Sequence, residues 1–210
     1  MKDENVKPLI IIFGGLAGKI YWRVFEFKNF LTKNIDCHLL FLKDYKRSWY
    51  QYGVEELNSN TVDDFVISIQ EIIQDINYSK IITLGTSMGG FASLLFGSLL
   101  KANSIIAFSP QTFIDRTNRK KYKDFRWFQY IKPLNDAHPD KKYFDLIDSD
   151  FSNSVVDIIY GIDEILDKIH AERMNHKNIN LISFEGKHDV IKNLRDNGIL
   201  LEIILKHIEH

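Results

Sequence analysis

A mainly parallel α/β sheet flanked by helices is the fold class that this 210-residue sequence predicts. Three observations predict it. Short apolar runs recur along the chain between turn signals, and runs of that length read as buried strands. Amphipathic or small-residue helical stretches fill the intervals. The links are short, and strand–helix alternation with short links builds right-handed βαβ units.

The elements follow in order. About six strands are expected, at Leu9–Phe13, Asp36–Leu42, Lys80–Leu84, Ser104–Phe108, Val155–Tyr160 and Asn180–Phe184. A first helix is expected over 19–33, where Ile20, Val24, Phe27 and Leu31 recur at helical spacing. Thr61 followed by Asp64 is a variant capping box that opens a helix running to about Ile76. A helix from Met88 to about Leu100 is rich in Gly, Ala, Ser and Leu. Helices over 164–174 and 190–207 complete the set.

Residues 111–150 break the rhythm. They hold no clear strand and place Arg116, Arg119, Lys120, Lys121, Lys123 and Arg126 beside Phe125, Trp127, Phe128 and Tyr130. Pro133 and Pro139 punctuate them. This stretch reads as an insertion between the fourth and fifth strands, within one domain spanning 1–210. A chain of this length can bury one sizeable core and is short for two.

Composition excludes several classes. The formal net charge is −1, so no broad cationic footprint for nucleic acid exists and no nucleic-acid partner is expected. The single cysteine, Cys37, rules out an internal disulfide and a cysteine-type zinc cluster, and neither a metal nor a cofactor is expected. No stretch approaches the roughly 18 apolar residues of a membrane span. The acidic N-terminus runs into an apolar segment too short for a signal-peptide core, so a cytoplasmic protein is expected.

One motif carries chemistry. Gly85-Thr86-Ser87-Met88-Gly89 is a G-x-S-x-G sequence between an apolar strand and a small-residue helix. A sharp turn there places the serine at the apex in a strained backbone conformation. Side chains at 85 or 89 would collide with neighbouring backbone. The Ser87 hydroxyl then projects at a helix N-terminus, which favours developing negative charge. A phosphate-loop reading of 13–20 fails, because Phe13 and Ile20 stand where Gly and Ser or Thr are needed.

A serine hydroxyl needs a general base and a group to orient that base. Two late strand exits offer candidates. Gly161 ends a strand and Asp163 lies in the loop above it, with Glu164 and Asp167 as alternatives. Asp157 lies within that strand and should point elsewhere. The competing duty for Asp163 is to cap the following helix. Gly186-Lys187-His188-Asp189 leaves the last strand and precedes a long apolar helix. Of the seven histidines, His188 alone combines a strand exit with a late position.

On Phe-Gly-Gly-Leu-Ala-Gly (13–18), Gly-Thr-Ser-Met-Gly-Gly (85–90), Tyr-Gly-Ile-Asp (160–163) and Gly-Lys-His-Asp (186–189), the chain resembles the α/β-hydrolase superfamily from about residue 8 to its C-terminus. The resemblance implies a three-layer fold and a nucleophile–acid–base order, hence a Ser87–Asp163–His188 triad. It also implies an oxyanion hole from the backbone N–H of Met88 and that of Gly15 or Leu16. It places a lid where residues 111–150 fall. Two features depart from the family pattern. Phe13 replaces a frequent His before the glycines, and the acid loop, Gly161-Ile162-Asp163, is one residue shorter than usual. The second departure keeps Glu164 and Asp167 open as the acid. Ser109-Pro110-Gln111 with Arg126-Trp127 is similar to small bacterial hydrolases, some from surface-polysaccharide gene clusters.

The expected function is hydrolysis of a small-molecule ester or thioester, such as an acyl or sugar ester, through an acyl-enzyme, with a carbohydrate or an acyl carrier as the group that bears the acyl chain. The alternatives are an acyltransferase using the same residues and a non-catalytic binding protein of this fold.

Overall fold

The structure, a computed structural model, describes residues 6–16 and 27–209. In chain order the elements are β1 (Lys7–Phe13), α1 (Lys28–Asn34), β2 (His38–Leu42), a 3₁₀ turn (Glu55–Leu57), α2 (Val62–Ile73), β3 (Tyr78–Thr86), α3 (Met88–Leu99) and β4 (Ser104–Phe108). There follow α4 (Arg116–Tyr122), α5 (Phe128–Ala137), β5 (Val155–Gly161), α6 (Ile165–Glu172), β6 (Ile179–Phe184), α7 (Val190–Asp196) and α8 (Ile199–Glu209). The strands form one sheet in the order β2-β1-β3-β4-β5-β6, and every neighbouring pair is parallel.

Strand alternation creates two cores. Leu9, Ile11 and Phe13 of β1 join Phe65 and Ile69 of α2, Phe91 and Leu95 of α3, and Ala171 of α6. Ile10 and Ile12 point the other way, to Leu31 of α1, Leu194 of α7 and Ile204 of α8. Three layers result, because side chains two apart on a strand share a face. Strand order reverses at β1, so the crossovers to β2 and from β2 to β3 run in opposite directions. Right-handed crossovers then set α1 and α2 on opposite faces. The reversal opens a crevice beyond the carboxyl ends of β1 and β3.

The expected strands are all present, with ends shifted by up to two residues. Thr61 caps α2 by accepting from the Asp64 N–H at 3.1 Å. The helix expected over 190–207 is broken in two, because Gly198 takes a left-handed φ of 79° between α7 and α8. The expected helix over 19–33 falls partly outside the described residues, Ile20 and Val24 among them; its described part is α1. Residues 111–150 hold α4, α5 and one antiparallel bridge, Phe113 to Asp145. Ile114, Ile131, Leu134 and Phe144 bury this stretch against the first core. No helix among the described residues is long and apolar enough to cross a membrane.

Candidate active site

The turn from β3 to α3 stands at the crevice. Ser87 has φ 54° and ψ −118°, a conformation that costs about 1–3 kcal/mol and persists only where the surroundings enforce it. Two backbone bonds enforce it: Ser87 N–H donates to the Phe108 carbonyl at 2.9 Å, and Phe91 N–H donates to the Ser87 carbonyl at 2.9 Å. Glycine is required on both flanks. A Cβ on Gly85 would sit 2.0 Å from the Gly89 carbonyl oxygen, and one on Gly89 would sit 2.1 Å from that of Phe13. The chain folds this tightly only because both side chains are missing.

The loop after β1 lies against this turn, as the Phe13–Gly89 approach requires. Gly14 N–H donates to the Leu42 carbonyl at 2.8 Å. The Tyr50 hydroxyl donates to the Gly14 carbonyl at 2.9 Å. Gly15 is buried and Leu16 half-buried, and Met88 is the first residue of α3. Met88 follows Ser87 directly, and Gly15 and Leu16 continue the loop whose Phe13 carbonyl approaches Gly89.

His188 reaches Ser87 from the loop between β6 and α7. Its Nε2 lies 3.0 Å from the Ser87 Oγ. Its Nδ1 lies 2.8 Å and 3.0 Å from the two oxygens of Asp167. A carboxylate at Nδ1 fixes the N–H there, so Nε2 is free to accept the serine proton. The imidazole is 30% exposed and the Asp167 side chain is fully buried.

Asp163, the acid expected from the sequence, does not meet His188. Its carboxylate accepts from the Gly186 N–H at 3.0 Å, while its own N–H donates to the Gly186 carbonyl at 3.0 Å. Asp163 thus clamps the β5–α6 loop to the β6–α7 loop. The close approach is made possible by Gly161, where a Cβ would sit 2.3 Å from the Gly186 carbonyl oxygen. The carboxylate that faces His188 comes one helical turn later, from the first turn of α6. Glu164, the other alternative, accepts from the Leu166 N–H at the start of that helix.

Three further residues, Gln111, Arg126 and Asp124, complete the site; the sequence names Gln111 and Arg126 without giving them a role and does not mark Asp124. Gln111 is buried; its Oε1 accepts from the Trp49 indole at 3.2 Å and its Nε2 donates to the Ser87 Oγ at 3.3 Å. An indole N–H can only donate, so the amide orientation is determined. Arg126 donates to Asp167 Oδ1 at 2.6 Å. Its other guanidinium nitrogens grip both oxygens of Asp124, at 3.1 Å and 3.0 Å. Asp124 meets Nε2 of the buried His170 at 2.9 Å, and Thr112 N–H donates to Nδ1 of that ring at 2.9 Å. His170 therefore carries its proton on Nε2 and is neutral.

The electrostatics follow. Burial pushes the Asp167 carboxyl up, but its hydrogen bond and charge pairing with His188, then with Arg126, hold it below the usual range. Asp124 is likewise raised by burial and brought well down by His170 and Arg126. Burial lowers His170 despite Asp124, in keeping with its neutral ring. The site therefore holds two ionised carboxylates bridged by one guanidinium, beside a histidine in contact with a serine.

No protein-family model matches the chain, and no curated protein sequence matches it. Solved structures do resemble it. The capsule O-acetyltransferase of Neisseria meningitidis serogroup A superposes with a TM-score of 0.62 at 22% identity, covering 93% of this chain and 87% of that one. Est1E from Butyrivibrio proteoclasticus gives 0.64 at 16% identity, covering 99% and 91%. MGS-MChE2, an alpha/beta hydrolase enzyme from a lagoon-sediment metagenome, gives 0.59 at 16%, covering 98% and 93%. With its parallel six-stranded sheet, its glycine-flanked serine turn and this likeness along nearly the whole chain, the protein has the α/β-hydrolase fold.

Proposed function

We propose that the protein is a serine hydrolase that forms an acyl-enzyme on Ser87, with His188 as general base and Asp167 as the acid that orients it. The observation that carries this reading is the unbroken contact from Ser87 Oγ to His188 Nε2 at 3.0 Å and from Nδ1 to Asp167 at 2.8 Å. It sits on a strained strand-to-helix turn at the sheet's switch point.

The steps follow from the geometry. His188 takes the Ser87 proton as Oγ attacks the acyl carbonyl. Asp167 stabilises the imidazolium that forms. The Met88 N–H and that of Gly15 or Leu16 receive the oxyanion. Gln111 donates to Oγ while it carries negative charge. The imidazolium gives its proton to the departing alcohol or thiol, leaving Ser87 acylated. Water, deprotonated by His188, then releases the acid and restores the serine. Esters and thioesters are the substrate class, with acyl and sugar esters foremost. Residues 111–150 form a cap beside the site, held by Arg126 on Asp167 and by Arg173 gripping Asp145 at 2.7 Å and 2.9 Å.

A second reading has its own support. The likeness to a capsule O-acetyltransferase favours an alcohol, such as a sugar hydroxyl, in place of water at the second step. Product analysis with competing acceptors separates the two.

The experiment is covalent labelling with a fluorophosphonate probe. Wild type is expected to label at Ser87, and Ser87→Ala is expected not to. Turnover of short acyl esters should fall about a million-fold in that variant. A wild type that resists the probe, or an alanine variant as active as wild type, would sink the serine-hydrolase reading.

A further inference from the structure

Arg126 lies in the insertion, far in sequence from every member of the triad, yet it touches the triad acid. Its guanidinium places one nitrogen on Asp167 and two on Asp124, the fork geometry that lysine cannot copy. The side chain is 21% exposed, while those of Asp124 and Asp167 are at most 1% exposed. Asp124 is fixed in turn by its own contact with Arg126 N–H at 2.9 Å and by neutral His170. Arg119 donates to the Arg126 carbonyl at 2.7 Å and so fixes the backbone. The guanidinium and the backbone of Arg126 are thus both held.

We propose that Arg126 is the positioning residue of the triad acid: gripped by Asp124, it holds Asp167 in place and sets the charge against which His188 takes its proton. The inference rests on the serine-hydrolase reading above and deepens it. Arg119 of α4 and His170 of α6 are the other charged or titratable groups that interact with Arg126 or Asp167; Asp163 and Glu164 precede α6 in the chain, and Lys187 and Asp189 flank His188. Of all these neighbours, Arg126 is the cation hydrogen-bonded to Asp167 itself.

The charge logic has a sign. A cation on Asp167 opposes the imidazolium that forms at His188, so removing it favours the protonated ring. The acidic limb of the rate profile then moves to higher pH. Removing the Asp124 charge leaves Arg126 less neutralised, which disfavours the protonated ring. The limb then moves to lower pH. A residue that merely packed the insertion would slow the reaction without moving the limb in opposite directions.

The test needs no knowledge of the substrate. The rate of Ser87 labelling by a fluorophosphonate is measured against pH for wild type, Arg126→Met, Arg126→Lys and Asp124→Asn, with thermal melts on each. Arg126→Met should lose about tenfold or more in labelling rate at neutral pH and move the limb to higher pH. Asp124→Asn should lower it. Arg126→Lys should keep the limb within a few tenths of a unit and lose rate, because the charge stays and the fork is lost. Limbs that stay put, or that move the same way in Arg126→Met and Asp124→Asn, would overturn the proposal while leaving the triad standing. If Arg126→Met does not fold, the Asp124→Asn and Arg126→Lys limbs decide. A wild type that fails to label removes the function reading itself, and this inference with it.

Discussion

Asp167–His188 and Asp157–His207 are the same chemical pair in two regions of the molecule. The first lies at the carboxyl end of the sheet, where the imidazole is 30% exposed and its far nitrogen meets a serine hydroxyl. The second lies under α8, on the opposite face of β5. There Asp157 accepts from His207 at 3.0 Å, Lys206 at 2.9 Å and Asn180 at 2.8 Å, and the ring is 2% exposed. No serine or water-facing edge adjoins it among the described contacts. A buried carboxylate–imidazole pair is therefore ordinary architecture. Access to solvent and a hydroxyl on the far nitrogen make the difference.

Substitution at each carboxylate separates the two pairs. Asp167→Asn should lower ester turnover by about ten-thousand-fold, since the imidazole loses both its orientation and the charge that stabilises its protonated form. Asp157→Asn should leave turnover within about twofold. It should instead cost about 1–3 kcal/mol of stability through poorly satisfied buried groups. At this chain length that reads as a melting point lower by several degrees. If Asp157→Asn abolished turnover in a folded protein, the division between the two pairs would fail.

Asp163, in the loop before α6, and Asp167, in the first turn of that helix, differ in the same way. Asp163→Ala removes a loop clamp and should lower turnover by about tenfold or less, the scale of one hydrogen bond. A loss as deep as that of Asp167→Asn would restore Asp163 as the orienting acid.

The smallest effect is in pH-dependent stability. His170 is held neutral by burial, so its folded pKa lies below its unfolded value of about 6.5. The unfolded chain then binds the proton more readily, and stability falls as pH drops below about 6.5. Asp157 is the depressed-acid case: burial alone would raise it, yet His207, Asn180 and Lys206 bring it well down. Its contribution is present above the unfolded value of about 3.9 and is lost as pH falls toward the folded one. Melts from pH 3 to 8 should show the upper decline vanish in His170→Gln and the lower one shrink in Asp157→Asn. Curves parallel to wild type would contradict this account.

The legible parts of the site were local ones. Gly85, Ser87 and Gly89 are read from five consecutive residues, because the backbone collisions they avoid arise within one turn and its neighbours. His188 could be singled out because it leaves a strand and precedes a helix. The acid was harder. Asp163 and Asp167 are one helical turn apart, and which of them faces the imidazole depends on how the loop after β5 docks on Gly186.

The strand count, the alternation with helices and the serine at the turn follow from residue order alone, since periodicity and glycine placement are written residue by residue. Folding in three dimensions selected which carboxylate meets His188, set the amide of Gln111 on the Ser87 hydroxyl and closed the Arg126 grip on Asp167. Those contacts join segments dozens of residues apart, and their partners are chosen by where the folded backbone brings buried charge and hydrogen-bonding capacity together.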